Sequence, residues 1–272
     1  MLRRLNRILA VCSDFRRCDD VIAKSAEIAG AHEAGLTVMF VKEEALFELP
    51  VFDTDEASDL ERIRHKLQQK VKETDIENVA VFVYENDVVD RAALEAEREG
   101  DCLIVTHTAP KINAKLAQKR VAPVLVLQNQ PESYTKAVVA VDTAPSERCV
   151  RYLKDLFPGL DMTLYQDFQY IPVTAAVDPT FEPYDIGMDA TVYTELLEAR
   201  REAFETFCKE KGYACKFEIG ENGVATDAVR FAETKEADLL VVAPADPDTI
   251  LGGSVEDILS EASSDVLVCF ER

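Results

Sequence analysis

The sequence is short of positive charge. Its 272 residues hold 30 Lys and Arg against 51 Asp and Glu, a net charge of −21. Nucleic-acid binding draws on Lys and Arg to neutralise phosphates, and an anionic bilayer surface attracts the same residues. We therefore expect neither a nucleic-acid nor a membrane partner. Long hydrophobic runs are missing as well. Met1–Arg7 is basic, but the apolar run behind it, Ile8–Val11, has only four residues. A signal peptide needs about 7–15 and a spanning helix about 20. The seven cysteines form no C-x-x-C pair, and Cys12, Cys102 and Cys269 sit inside strand-like runs. An odd number of thiols used as small hydrophobes fits a reducing cytoplasm and no disulfide framework.

Histidine is scarce too. His32, His65 and His107 are the only three, and none falls in the second half. The spacing assembles no Ser-His-Asp or Cys-His arrangement, so no catalysis is expected. Cys208 and Cys215 straddle a helix end, but a zinc site would want His or further Cys nearby. The acids Asp53, Asp55, Glu56 and Asp59 stand at a helix start, where the helix dipole favours them without any metal.

What is present is an alternation. Ile8–Val11 reads as a buried strand, and Asp19–Ala34 as a helix with Val21, Ile22, Ala26 and Ala29 inward and Gly35 closing it. Leu36–Val41 is the next strand. Leu60, Ile63, Leu67 and Val71 set a helix within Asp53–Thr74, and Val79–Val83, Val88–Glu99, Leu103–Val105, Lys111–Lys119 and Val124–Leu127 continue the pattern. The second half repeats the order, from the strand Ala137–Val141 to the strand Val266–Phe270. Its longest helix, Thr191–Lys211, should turn Leu196, Leu197, Phe204 and Phe207 inward and stop at Gly212. Strands alternating with helices imply parallel sheets with right-handed crossovers, an α/β fold in each half.

The halves also match residue by residue. Glu85–Val105 aligns without gaps on Glu221–Val241, with identical pairs at Glu85/Glu221, Asn86/Asn222, Val88/Val224, Ala92/Ala228, Glu97/Glu233, Leu103/Leu239 and Val105/Val241. This is an internal duplication. It divides the chain into residues 1–129, a polar linker 130–135, and residues 136–272. Charge is shared unequally: residues 1–130 hold 18 Lys and Arg and 23 Asp and Glu, or −5, and the remainder holds 12 and 28, or −16.

Particular motifs carry a resemblance. Val139–Asp142 reads V-A-V-D and is followed by the small-residue turn Thr143–Ser146. Leu239–Val242 leads to Gly253-Ser254-Val255 and then to Asp265–Val268, while Ala122–Val126 reads A-P-V-L-V. In these the chain resembles the universal stress protein family, in its tandem two-domain form. The resemblance implies two Rossmann-like domains of the adenine nucleotide alpha hydrolase type. Each would be a five-stranded parallel sheet ordered 3-2-1-4-5 with helices on both faces. It also implies pairing of the two domains through their last strands, Val124–Leu127 and Val266–Phe270, as single-domain relatives pair in dimers.

In nucleotide-binding members of the family a first-strand Asp and a glycine-rich loop hold ATP. The matching positions here are Asp142, Gly253 and Ser254, so the resemblance places ATP, with Mg²⁺, in the second half. In the first half the Asp position falls on Cys12 and the Gly-Ser pair on Lys111-Ile112, and Thr106–Pro110 has no glycine; His107 there reads as a surface residue. Even the second half departs from the pattern, with Ala243 for the first glycine and P-A-D-P-D over 244–248. A carboxylate about 6 Å from a phosphate charge costs roughly 3 kcal/mol at an effective dielectric near 20, so two of them call for a metal ion. Ser254 has two readings, phosphate contact or the cap of a helix starting at Val255. Two functions stay open: a non-catalytic stress-response sensor of adenine nucleotide, or a nucleotide-independent scaffold. The segments 169–189 and 47–52, apolar and partly aromatic, read as arms or lids.

Overall fold

The computed structural model describes residues 5–42, 56–85, 87–141, 147–168, 190–220, 222–243 and 251–270, the side chains of 56–59, 190–192 and 251–254 aside. The first half runs β1 (Arg7–Cys12), a 3-10 turn (Phe15–Arg17), α1 (Cys18–His32), β2 (Gly35–Lys42), α2 (Glu56–Lys72) and β3 (Val79–Glu85). It continues with α3 (Val88–Glu99), β4 (Cys102–His107), α4 (Pro110–Gln118) and β5 (Val124–Leu127). The second half gives β6 (Lys136–Val141), α5 (Glu147–Leu156), β7 (Asp161–Phe168), α6 (Ala190–Lys211) and β8 (Ala214–Ile219). It closes with α7 (Val224–Thr234), β9 (Leu239–Ala243), α8 (Leu251–Glu261) and β10 (Asp265–Val268).

Each half has the expected strand order, but the two sheets are one. Ten strands run β3-β2-β1-β4-β5-β10-β9-β6-β7-β8. Every neighbouring pair is parallel except β5 with β10, which meet antiparallel with Leu125 opposite Leu267, Val126 opposite Val266 and Val124 opposite Val268. All six side chains are fully buried. Strands covered on both faces have no solvent side to alternate with, which is why β1, β4 and β5 read as unbroken apolar runs.

The sheet carries a core on each face. Under α1, α2, α5 and α6 lie Val21, Leu67, Val150 and Phe204 against Ala10, Val38, Leu125, Leu267 and Val241. Under α3, α4, α7 and α8 lie Ala92, Leu116, Ala228 and Ile258 against Leu9, Ile104, Val126, Val266 and Leu240. Each core is contiguous across the β5–β10 seam, and α4 packs directly on α8 above it.

Three expectations need correction. Gly35 does not close α1; Glu33 takes the left-handed cap at φ 52°, and Gly35 opens β2 with its Cα against the Arg7 guanidinium. Leu196 is 39% exposed rather than inward, whereas Phe204 is buried and Phe207 packs at the margin of the core. The helix expected at Val255 begins at Leu251, so Ser254 lies inside its first turn and not at its cap.

The duplication also shows at backbone level. Asp87 and Gly223, equivalent positions ahead of α3 and α7, both have positive φ, at 65° and 103°. One half meets that demand with a carboxylate that accepts the Asp90 N–H, the other with the residue that tolerates it best.

The start of β6 is fastened by Asp238. Its carboxylate accepts the Thr135 hydroxyl at 2.6 Å and the amides of Thr135 and Lys136 at 2.8 and 2.9 Å. Partial burial pushes its pKa up, but these hydrogen bonds outweigh that and hold it below the ordinary value. A depressed folded-state pKa adds stability that is complete above about pH 4 and is lost as pH falls through the folded value. Asp238→Asn should therefore flatten the acid limb of the stability curve below about pH 4. An acid limb identical to wild type in urea titrations would refute this role.

Candidate functional site

Open parallel sheets bind ligands beyond the carboxyl ends of their strands, where the strand order reverses. Here that happens twice, between β1 and β4 and between β6 and β9.

In the first half the position is filled. β1 leads to Asp14, whose carboxylate accepts the Arg16 N–H at 2.9 Å and starts the 3-10 turn. The Cys12 thiol is fully buried and its pKa stands well above the ordinary value, through its hydrogen bond to Cys18 first and burial second. β4 ends in His107, which is buried and not on the surface as the sequence suggested. Its Nε2 lies 3.4 Å from Ser13 Oγ, its carbonyl accepts the Asn113 side-chain amide at 2.9 Å, and its Nδ1 has no hydrogen-bond partner. Burial and the nearby Arg17 charge lower its pKa, with Asp14 opposing.

The Ser13–His107 contact brings a serine and a histidine together without completing a Ser-His-Asp arrangement. It does not make a nucleophile. The Asp14 carboxylate is committed to Arg16 and no group orients His107 through Nδ1, whereas an activated serine needs a base held in place by a third group. Nor is there a phosphate loop. Only Thr108 and Ala109 separate β4 from α4, and α4 begins on Pro110, which has no N–H to offer.

The second half differs. At the ends of β6 and β9, Val141 lies beside Ala243 in parallel register, so both strands leave the sheet at one point. Asp142 and residues 244–250 lie outside the described residues. Seven residues separate β9 from α8, against two in the first half. Gly253 and Ser254 fall in the first turn of α8, where backbone N–H groups have no intrahelical acceptor. A helix N-terminus reached by a longer connection at the switch point fits an anionic group in general form.

Among the described residues no cluster of His, Cys, Asp and Glu is arranged to hold a metal, and no helix is long and apolar enough to cross a membrane. Asp53, Asp55 and the segments 169–189 and 47–52 lie outside the described residues. The sequence reading missed Asp265. This buried carboxylate opens β10 and accepts the backbone N–H groups of Gln128, Asn129 and Gln130 at 2.7, 2.9 and 3.1 Å. Its second oxygen accepts the Tyr134 hydroxyl at 2.7 Å. One signal was available: S-D-V-L-V in the second half stands where the first has A-P-V-L-V, a lone charge entering a buried strand.

No protein-family model matches the sequence, and no curated protein does. Solved structures match it over nearly its whole length. A functionally unknown protein from Pseudomonas aeruginosa PAO1 superposes with a TM-score of 0.63 at 20% identity, over 98% of this chain and 92% of that one. A putative universal stress protein from Pseudomonas aeruginosa UCBPP-PA14 gives 0.61 at 19%, over 98% and 93%. A universal stress protein from Archaeoglobus fulgidus DSM 4304 gives 0.65 at 14%, over 98% and 96%.

Proposed function

We propose that this chain, which has the fold of those universal stress proteins, is a non-catalytic stress-response regulator that binds an adenine nucleotide weakly in its second half. The observation that carries the reading is the asymmetry of the two switch points. The first is occupied by protein side chains and has a two-residue connection starting a proline-led helix. The second keeps a seven-residue connection and a glycine-containing first helical turn.

In this reading Asp142 meets the ribose, and the first turn of α8, through Gly253 and Ser254, meets the phosphates. Asp246 and Asp248, in the acidic connection, would hold Mg²⁺, which would offset the charge of the triphosphate. Among the described residues neither point holds an oriented base beside a nucleophile, and in this reading the nucleotide is a signal rather than a substrate. Two features temper the affinity: Ala243 stands where the family pattern has glycine, and the second half carries most of the −21 charge.

Calorimetric titration of the full chain with ATP and Mg²⁺ tests this. Binding in the high-micromolar to millimolar range is expected, and Gly253→Asp should abolish it by adding a charge at the helix start. No heat at millimolar nucleotide would leave the nucleotide-independent scaffold, which the closed first half favours, as the function of both halves.

A further inference from the structure

Of the seven cysteines, Cys215 is the only one that is not buried. It stands on β8, the outermost strand of the second half, and packs against the apolar cluster that contains Cys208. Cys208 lies in the last turns of α6 and is 2% exposed. The turn between them is tight: Gly212 has φ 71°, and the Tyr213 N–H donates to the Cys208 carbonyl at 2.9 Å. That five-residue-back bond with a left-handed glycine ahead of it is a Schellman closure. It folds β8 directly onto the helix that precedes it, and both sulfurs join the apolar layer of Phe204 and Phe217.

We propose that Cys208 and Cys215 form an oxidisable dithiol, a modification site that closes to a disulfide when the protein meets hydrogen peroxide. The partly exposed Cys215 sulfur attacks the peroxide, breaking its O–O bond to give a sulfenic acid and water. The Cys208 sulfur then attacks that sulfenic sulfur: an S–S bond forms, the S–O bond breaks, and the Cys208 proton leaves with the hydroxyl as a second water. Two thiols lose two electrons, which reduce one peroxide to water. The order of events is set by exposure. Burial first, and the contact with Cys215 second, push the Cys208 thiol up to about 12, so Cys208 is not the attacking group. The bond would tie the end of α6 covalently to the edge of the sheet.

A second pair in the same molecule supplies the control. Cys12 and Cys18 also share one core cluster, but both are fully buried, so peroxide should leave them reduced.

The test uses the reduced full-length chain treated with a small excess of hydrogen peroxide, followed by thiol titration, intact mass and peptide mapping. The free thiols should fall from seven to five, with a mass loss of two hydrogens and a cross-linked peptide joining Cys208 to Cys215. Cys208→Ser should trap Cys215 as a sulfenic acid that dimedone captures. Cys215→Ser should keep its remaining six thiols. The proposal is overturned if wild type keeps all seven thiols, or if oxygen is retained on Cys215 while Cys208 stays free. It fails equally if Cys215→Ser loses two thiols as fast as wild type.

Discussion

Asp265→Ala should lower the stability of the whole chain by about 3–5 kcal/mol, the range for leaving buried charge-assisted partners unpaired. The carboxylate is fully buried and accepts four hydrogen bonds, three from consecutive backbone amides of residues 128–130 and one from Tyr134. Removing it strands those donors and leaves a cavity between β10 and the start of the linker. Tyr134 is itself anchored, its ring tilted against Phe157 with centroids 4.7 Å apart and lying under the Lys24 ammonium at 5.2 Å. Burial first, and the Asp265 charge second, push its hydroxyl far above the ordinary tyrosine value, so it remains a donor at every accessible pH. The losses should rank Asp265→Ala first, Asp265→Asn next and Tyr134→Phe last. Asn keeps one acceptor for the amides, and Phe removes one bond of four. Urea midpoints measure the series, and an alanine variant within 1 kcal/mol of wild type would contradict the assigned role.

A fragment of residues 136–272 should not survive as a monomer. In the intact chain β10 is sealed by β5, and six fully buried Val and Leu side chains face one another along the seam. At about 1.5–3 kcal/mol for each, that burial is worth at most about 18 kcal/mol. The fragment would expose this edge, lose α4 from its place against α8, and keep Asp265 with none of its donors. Unpaired apolar edges recruit other strands. The fragment should therefore pair β10 with β10 of a second copy, V-L-V against V-L-V, or aggregate. Light scattering showing a monodisperse monomer at tens of micromolar would sink the argument. By the same reasoning the full chain should unfold in one transition, since each core draws on both halves.

Much of this architecture was legible in the chain because buried parallel strands leave a local mark. β5 and α3 have the bounds that their apolar spacing gives. β7 runs three residues past its apolar run because Gln166 and Asp167 are buried at its end, where polarity alone signals a loop. The first-half switch point was half legible. The missing glycine is visible in Thr106–Pro110, but the burial of His107 comes from Ser13 and Asn113, and Ser13 lies 94 residues away. Asp265 was visible as a charge out of place, yet its meaning depends on donors 131 to 137 residues distant. Local pattern carries local pairing, and partners brought together only by the closed sheet leave no spacing to read.

The single antiparallel junction has a geometric consequence. Strands on either side of it run in opposite directions, so the carboxyl ends of β1 and β4 emerge at one rim of the sheet and those of β6 and β9 at the opposite rim. The two switch points thus lie at opposite rims of one sheet. Burial of His107 at the first leaves the second untouched, so a duplicated module can change one switch point without changing its twin. Midway between the two rims, at the centre of the antiparallel register, Leu125 and Leu267 stand opposite one another.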